Sequence, residues 1–364
     1  MKIAIITLNG HKNYGNRLQN YALQKFLLKY AEKVDTIWYD NNNYLPEIPS
    51  WNWKILIKCI LNWKNIRYNR KYYYGKNCIR EYNIKKFSDK YISIRYDFKI
   101  KDSLVNEYDY FIIGSDQVWN PYHKENRFLD FVPSKKRIAY AASFGVDHIP
   151  LQKKNLFKNK LKEMAYISVR EKAGANIVYK LINKKVPVLV DPTILLSKKE
   201  WEDIAEQPRW YKNEKYILTY FLGEKNELID NIISKYNYKI INLLDINNID
   251  IYCSKVEEFI FLIKHAVLVC TDSFHCAVFS ILMNTPFFVI NRIEGNMPKT
   301  NSRINSLLEL FNFKDRYISV ESRIIDEEIL NMDFSNVETI QSQEIERSTI
   351  YIKKALNLFQ EEKN

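Results

Sequence analysis

The sequence predicts an α/β protein made of two parallel-sheet halves that face each other across a cleft, and three observations carry that prediction. Short apolar runs recur along the 364 residues, most lead into a polar loop and then a segment with helical apolar spacing, and the series restarts after a polar stretch near the middle. Alternating strand and helix units build parallel sheets with helices on both faces. Strands buried on both faces read as continuous apolar runs.

The first unit is a strand over Ile3–Leu8, a polar loop over Asn9–Asn16 and a helix from Arg17 to Tyr30 with Leu18, Ala22, Phe26 and Leu27 on one face. A strand over Val34–Tyr39 follows. The pattern repeats with strands at Asp109–Ile113 before GSDQVW, Arg137–Ala142 before SFG, Tyr166–Arg170 before a helix starting at Lys172, and Val186–Val190 before DPT. The stretch SKKEWEDIAEQPRWYKNEK then marks a boundary, giving one domain over 1–200 with a basic aromatic insertion at 51–86, and a second over 212–364. The second carries strands at Tyr216–Phe221, Lys239–Leu243, Ala266–Cys270 and Phe287–Asn291. Its helices are expected near Glu227–Tyr236, Val256–His265 and His275–Met283, with a terminal amphipathic helix over Ser342–Phe359. Two Rossmann-like halves bind ligands at the carboxyl ends of their strands.

A chain that is 46% hydrophobic, 14% aromatic and 27% charged is neither disordered nor a disulfide scaffold. Its five cysteines form no CxxC pair and no zinc-like cluster, so reduced thiols and no metal site are expected. The apolar run in MKIAIITLNG is too short for a secretory signal, and later runs fall short of a membrane span, which predicts a cytoplasmic protein. The formal charge is +12, and ten basic residues against the single acid Glu81 lie between Trp51 and Lys86. There Trp53, Leu56, Ile57, Ile60 and Trp63 form an apolar helical face with Lys54 and Lys58 opposite. This predicts either an interfacial helix docking on an anionic leaflet at the inner face of the membrane, or a helix packed on the protein with its basic side solvated. Binding of nucleic acid through the same segment is a further alternative, but the rest of the chain is nearly neutral and shows no nucleic-acid motif, so no nucleic-acid partner is expected.

Three of the eight glycines, Gly15, Gly114 and Gly145, follow predicted strands. GHKNYGNR has phosphate-loop spacing without the Lys and Ser/Thr that should follow, and no GxGxxG occurs, so nucleoside-triphosphate and dinucleotide readings lose their support. Asn13, Asn16, Arg17 and Gln19 are placed either to donate to hydroxyls or an anion, or to cap a solvated loop. FIIGSDQVWNP sets Ser115, Asp116 and Gln117 at a strand end. Asp116 is suited to orienting or deprotonating a sugar hydroxyl, or only to capping a turn. Trp119 reads as a core aromatic or a platform for a sugar face. Arg170 either clamps an anion bidentately or pairs with Glu171 or Asp191.

The strongest constellation is CTDSFHCAVFSILMNTPFFVINR, where Asp272, Ser273 and His275 stand at a strand end just as an apolar helix begins. A helix N-terminus favours phosphate or carboxylate. His275 adds a charge-assisted hydrogen bond or passes a proton, and Arg292 closes over the same anion. Of the other histidines only His11 is held in reserve.

In this order, NYGNRLQNYAL, IIGSDQVWN, YAASFG, ISVRE, VLVDPT and TDSFHCAVFSI resemble the polysaccharide pyruvyl transferase family across most of the chain. The resemblance implies a GT-B-like fold. It also implies transfer of a pyruvyl group from phosphoenolpyruvate, a co-substrate, to two hydroxyls of a sugar in a cell-surface polysaccharide or its lipid-linked precursor. A cyclic ketal and free phosphate result, and no cofactor is expected. The family's SFHG-type motif is associated with the donor and maps here onto Ser273, Phe274 and His275, with Cys276 where many members have Gly. On this reading His275, Asp116 and Arg170 are the catalytic candidates, and Asp272, Ser273, Phe274 and Arg292 bind the donor. Asn13, Gly15, Asn16, Gln19, Ser115, Gln117 and Ser143 bind the acceptor, and His275 serves as general acid or as ligand of the leaving phosphate. A glycosyltransferase of the same architecture using a nucleotide sugar is the alternative.

Overall fold

The computed structural model describes residues 1–38, 76–97, 102–123, 128–223, 235–292, 302–318 and 329–359. In the first half, β1 (Lys2–Ile6), β2 (Lys33–Trp38), β3 (Ile94–Tyr96), β4 (Tyr110–Ile113), β5 (Arg137–Ala142) and β6 (Tyr166–Val169) form a sheet ordered β3-β2-β1-β4-β5-β6. Every pairing is parallel. Ile3 of β1 lies between Val34 and Tyr110, which fixes the register at the centre. In the second half, β7 (Tyr216–Tyr220), β8 (Lys239–Asn242), β9 (Leu268–Thr271), β10 (Phe287–Ile290) and β11 (Tyr317–Ile318) form a second parallel sheet ordered β11-β10-β9-β7-β8. Both orders reverse once, between β1 and β4 and between β7 and β9, and the loops that diverge at such switch points leave a crevice for ligands.

Helix α1 (Tyr14–Leu27) begins earlier than its apolar spacing predicts, because the Asn13 side chain caps it by accepting from the Gly15 N–H at 2.8 Å. A cap of this kind is worth about 1 kcal/mol. Nearly all of α1 is buried, since it lies between the first sheet and the second half. The Tyr14 hydroxyl donates to the Ser254 carbonyl at 2.7 Å, and its ring stacks on Phe259 with centroids 4.8 Å apart. Helix α2 (Lys76–Tyr91) takes in the end of the basic segment. It is pinned to the second half where the buried Arg80 donates to the carbonyls of Leu243 and Tyr252, 3.2 and 2.6 Å away. The interfacial helix expected over Trp53–Trp63 lies outside the described residues, as does most of the helix expected near Glu227–Tyr236.

Helices α3 (Lys154–Lys162) and α4 (Lys172–Ile182) flank β6. The strand expected at Val186–Val190 is reduced to a single bridge from Val188 to Val169. Pro187 sits in that run and has no N–H to donate, so the ladder does not propagate. In the second half come α5 (Val256–Lys264), α6 (Phe274–Met283) and α7 (Ser302–Leu310). All ten residues of α6 are buried. Its apolar surface runs all round because it packs within the core that joins the halves, with Phe279 4.9 Å from the Trp201 ring. Helix α8 (Val337–Ala355) follows the second half in sequence but bonds to the first. There Ser348 meets the Tyr140 hydroxyl at 3.0 Å, and Tyr351 donates to the Ala139 carbonyl at 2.7 Å. Among the described residues no helix is long and apolar enough to cross a membrane.

Candidate active site

Loops from both switch points converge on one cavity of about 290 Å³. The first half contributes Lys12, Asn13 and Asn16 after β1, and Asp116, Gln117 and His123 after β4. The second contributes Leu222 after β7, the first turn of α6 with Ser273, Phe274 and His275, Arg292 after β10, and Arg303 on α7. Of the residues expected from sequence, the fold thus brings Asn13, Asn16, Asp116, Gln117, Ser273, Phe274, His275 and Arg292 to one space.

The halves meet most closely at Gly15. A Cβ on this residue would lie 2.1 Å from His275 Nδ1, so only glycine lets the start of α1 pass the imidazole. The other edge of the ring faces Asp191, with Nε2 3.6 Å from Oδ2 and no hydrogen bond of its own. Asp191 is buried and accepts from Ser115 Oγ at 3.2 Å, from Thr193 N at 3.0 Å and from Arg170 Nη1 at 2.6 Å. Arg170 therefore pairs with Asp191 and not with Glu171, and its Nη2 reaches Asp116 at 3.4 Å.

These contacts set the charges. Burial would raise the Asp191 carboxyl, but His275, Arg170 and the Thr193 amide overcome it and hold Asp191 far below the ordinary carboxylate range. Asp116 is likewise held down, against burial, by Arg170, His275, Arg303 and the Asn16 amide, which donates at 3.3 Å. Asp116 is also in the left-handed region, at φ 60°. Aspartate tolerates that conformation better than most residues, and its carbonyl still accepts from Ser143 N at 3.0 Å. Arg303 is pushed down to about 10 by burial and by the charge of Arg170, so positive charge is concentrated here. Gln117, with its amide oxygen turned toward Arg303, accepts from both Nη atoms at 3.0 and 3.1 Å. Gly145, at φ +64°, makes room for Gln117, whose Cδ would lie 2.8 Å from a Cβ there.

The remaining expected residues support the cavity from behind. Gln19 is fully buried, holding Thr7 Oγ1 at 2.9 Å and accepting from Ser115 N at 3.1 Å. Ser115 bonds the Ala141 carbonyl at 2.9 Å, and Ser143 donates to Glu171 at 3.0 Å. Asp272 accepts from the Leu222 and Gly223 amides at 2.7 and 2.8 Å and from Arg292 Nε at 3.1 Å, so it fastens the β7 loop and aims the arginine. The Arg170 guanidinium carbon lies 4.6 Å from the centre of the Phe274 ring. Trp119 is core, stacked on Phe128 at 5.5 Å, and forms no sugar platform. Cys276, where many members of the family have glycine, is a buried thiol outside the lining of this cavity. His11 stacks on Trp38 at 4.8 Å, and burial lowers it to about 3, which keeps it neutral. Sequence reasoning missed Lys12, His123 and Arg303. Arg303 carried no signal of the kind read in Arg292, since it stands in the first turn of α7 and not at a strand end.

Among the described residues no group of His, Cys, Asp and Glu is gathered to hold a metal ion. A profile of the polysaccharide pyruvyl transferase family matches residues 13–293. No curated protein matches the sequence. Among solved structures, the S. aureus MnaA–UDP co-structure is similar with a TM-score of 0.53 at 12% identity, covering 98% of this chain and 97% of that one. The UDP-GlcNAc 2-epimerase from Neisseria meningitidis bound to UDP-GlcNAc has a TM-score of 0.46 at 13% identity, over 95% of this chain and 100% of that one. For the E. coli ADP-heptose lps heptosyltransferase II the values are 0.33 and 11%, over 96% and 100%. At such identities the likeness concerns the fold alone, and the MnaA match, the one of these three above a TM-score of 0.5, agrees with the two parallel α/β sheets in giving a GT-B-like architecture.

Proposed function

The chain belongs to the polysaccharide pyruvyl transferase family and is a transferase, and from that premise we propose that it moves the pyruvyl group of phosphoenolpyruvate onto two hydroxyls of one sugar as a cyclic ketal. The observation that carries this reading is the charge layout of the cavity, where Arg292, Arg303 and the first turn of α6 supply positive charge and the carboxylate of Asp116 stands beside them, 4.0 Å from Arg303 Nη1. Phosphoenolpyruvate presents a phosphate and a carboxylate, and arginines with a helix N-terminus compensate both.

The residues divide the steps as follows. His275, oriented by Asp191 and by contact with Gly15, delivers a proton to the methylene carbon of the donor. The central carbon becomes oxocarbenium-like and is attacked by the first sugar hydroxyl, whose proton passes to Asp116. Phosphate leaves with the proton returned to it, held by Arg292 and Arg303. The second hydroxyl then attacks the same carbon and passes its proton to His275, which restores the acid and closes the ketal. Asn13, Asn16 and Gln117 hold the acceptor, and Arg170 fixes Asp116 and Asp191 in register. The acceptor is a polysaccharide unit, and a lipid-linked oligosaccharide at the inner face of the membrane fits the basic segment over 51–86. The division into an acceptor domain over 1–200 and a donor domain over 212–364 belongs to the same reading, with α8 returning from the second to pack on the first.

The test is to incubate the protein with phosphoenolpyruvate and candidate oligosaccharides, following phosphate release and the acid-labile ketal by mass spectrometry. Phosphate release that depends on both partners supports the reading. A glycosyl product from a nucleotide sugar contradicts it.

A further inference from the structure

Behind the active-site cavity lies a second one of about 250 Å³. Its inner end is made by Arg170, Asp191, Phe274 and Arg303, and Phe274 and Arg303 line both spaces. Its sides are apolar, from the 188–194 segment and from Leu307 and Leu310 on one face of α7. Lys172 and Arg347 stand where it reaches solvent, each already paired, to Glu309 at 2.7 Å and to Glu344.

We propose that this cavity is a second ligand site, for a small carboxylate with a compact apolar body. The walls decide the body. An apolar cavity of roughly 150 Å³ suffices for a benzene ring, so this one has room for a ring and a carboxylate. The inner end decides the charge. Arg170 has a buried side chain, and its Nε–H finds no acceptor, which costs stability until a ligand supplies one. The outer charges cancel in pairs, and of the groups lining the inner end Arg170 and Arg303 stand against Asp191 alone, while Asp116 reaches both arginines from the active-site side.

A consequence has a definite sign. An anion held here draws on Arg303, which also compensates the donor, so each ligand weakens the other, and by reciprocity to the same extent. The site itself stands on the cavity, while this coupling rests on the donor assignment above.

The experiment is a calorimetric titration of the full-length protein with benzoate and with benzyl alcohol, its uncharged counterpart, in the presence and absence of phosphoenolpyruvate. Wild type is compared with Ser306→Phe and Leu310→Trp, which fill the cavity from α7 without touching the active-site cavity. Benzoate is expected to bind wild type, at least about tenfold more tightly than benzyl alcohol, and to lose binding in both variants. In wild type alone it raises the Kd for phosphoenolpyruvate several-fold. Absence of benzoate binding to wild type overturns the proposal, as does equal binding by a variant that melts like wild type or by benzyl alcohol. If neither variant folds, the methyl resonances of Leu307 in wild type decide, since benzoate must shift them and an unmoved signal removes the site. Benzoate binding without any binding of phosphoenolpyruvate breaks the donor assignment and leaves the cavity site intact. The reverse result removes only the cavity site.

Discussion

Gly15 and His275 occupy space that a single methyl group would contest, since a Cβ at position 15 would stand 2.1 Å from Nδ1 of the imidazole and 2.2 Å from Cγ. The contact joins the start of α1 in the first half to the start of α6 in the second, at the point where both switch-point crevices open. Gly15→Ala must push the ring or the helix aside. Misplacing a catalytic group by about 1 Å can cost on the order of 100-fold in rate. We therefore expect turnover to fall by about that factor while the variant stays folded, as checked by kinetics beside thermal melts. Wild-type turnover in Gly15→Ala would exclude His275 from the chemistry.

Asp191 makes the fold acid-sensitive. Its folded carboxyl lies far below the ordinary range and Asp116 is also held down. The stability they contribute is therefore present above the unfolded value of about 4 and lost as pH falls below it. Asp191→Asn leaves Arg170 buried without its partner, and removing one member of a buried pair costs roughly 3–5 kcal/mol. Denaturant titrations from pH 7 down to 3 should show a shallower pH dependence in the variant than in wild type. Equal slopes would mean that another group carries the acid response.

Arg303 is expected to matter to the donor although no motif announced it. Its guanidinium lines the active-site cavity and is held by Gln117. A charge-assisted hydrogen bond is worth roughly 1.5–3 kcal/mol, so Arg303→Ala should raise the Kd for phosphoenolpyruvate by about ten- to a hundredfold. An unchanged Kd, measured by calorimetry, would place the anion elsewhere in the cavity.

The basic segment is tested on vesicles. Intact protein should co-sediment with anionic liposomes at low salt and release as salt rises. Neutralising the six basic residues of that segment that precede α2, Lys54, Lys58, Lys64, Arg67, Arg70 and Lys71, should abolish it. If the intact protein does not sediment, a packed helix with a solvated basic side is the better account of the segment.

Nine of the eleven strands were readable because each is a short apolar run ended by a polar loop, whereas the edge strands β3 and β11, three and two residues long, were not, and Gly15, Gly114 and Gly145 stood out as glycines at strand ends. What the loops do was only half readable. Sequence places Gln19, Ser115 and Ser143 at the right loops, but their side chains turn inward to Thr7, Asp191 and Glu171. That direction is set by packing against distant segments. The pairing of Arg170 with Asp191 spans the α4 helix, and its preference over Glu171 depends on the path of the 186–191 segment, which Pro187 limits to one bridge with β6. Arg303 was silent because its role comes from α7 folding back over the cavity.

The central claim is the donor, and calorimetric and thermal-shift titration tests it most directly, with phosphoenolpyruvate beside UDP- and CMP-sugars on wild type and His275→Ala. A ligand that binds the native state raises its melting temperature. Stabilisation by phosphoenolpyruvate alone, lost or strongly reduced in His275→Ala, is the predicted result. Stabilisation by a nucleotide sugar with no response to phosphoenolpyruvate would contradict the account and leave only the fold standing.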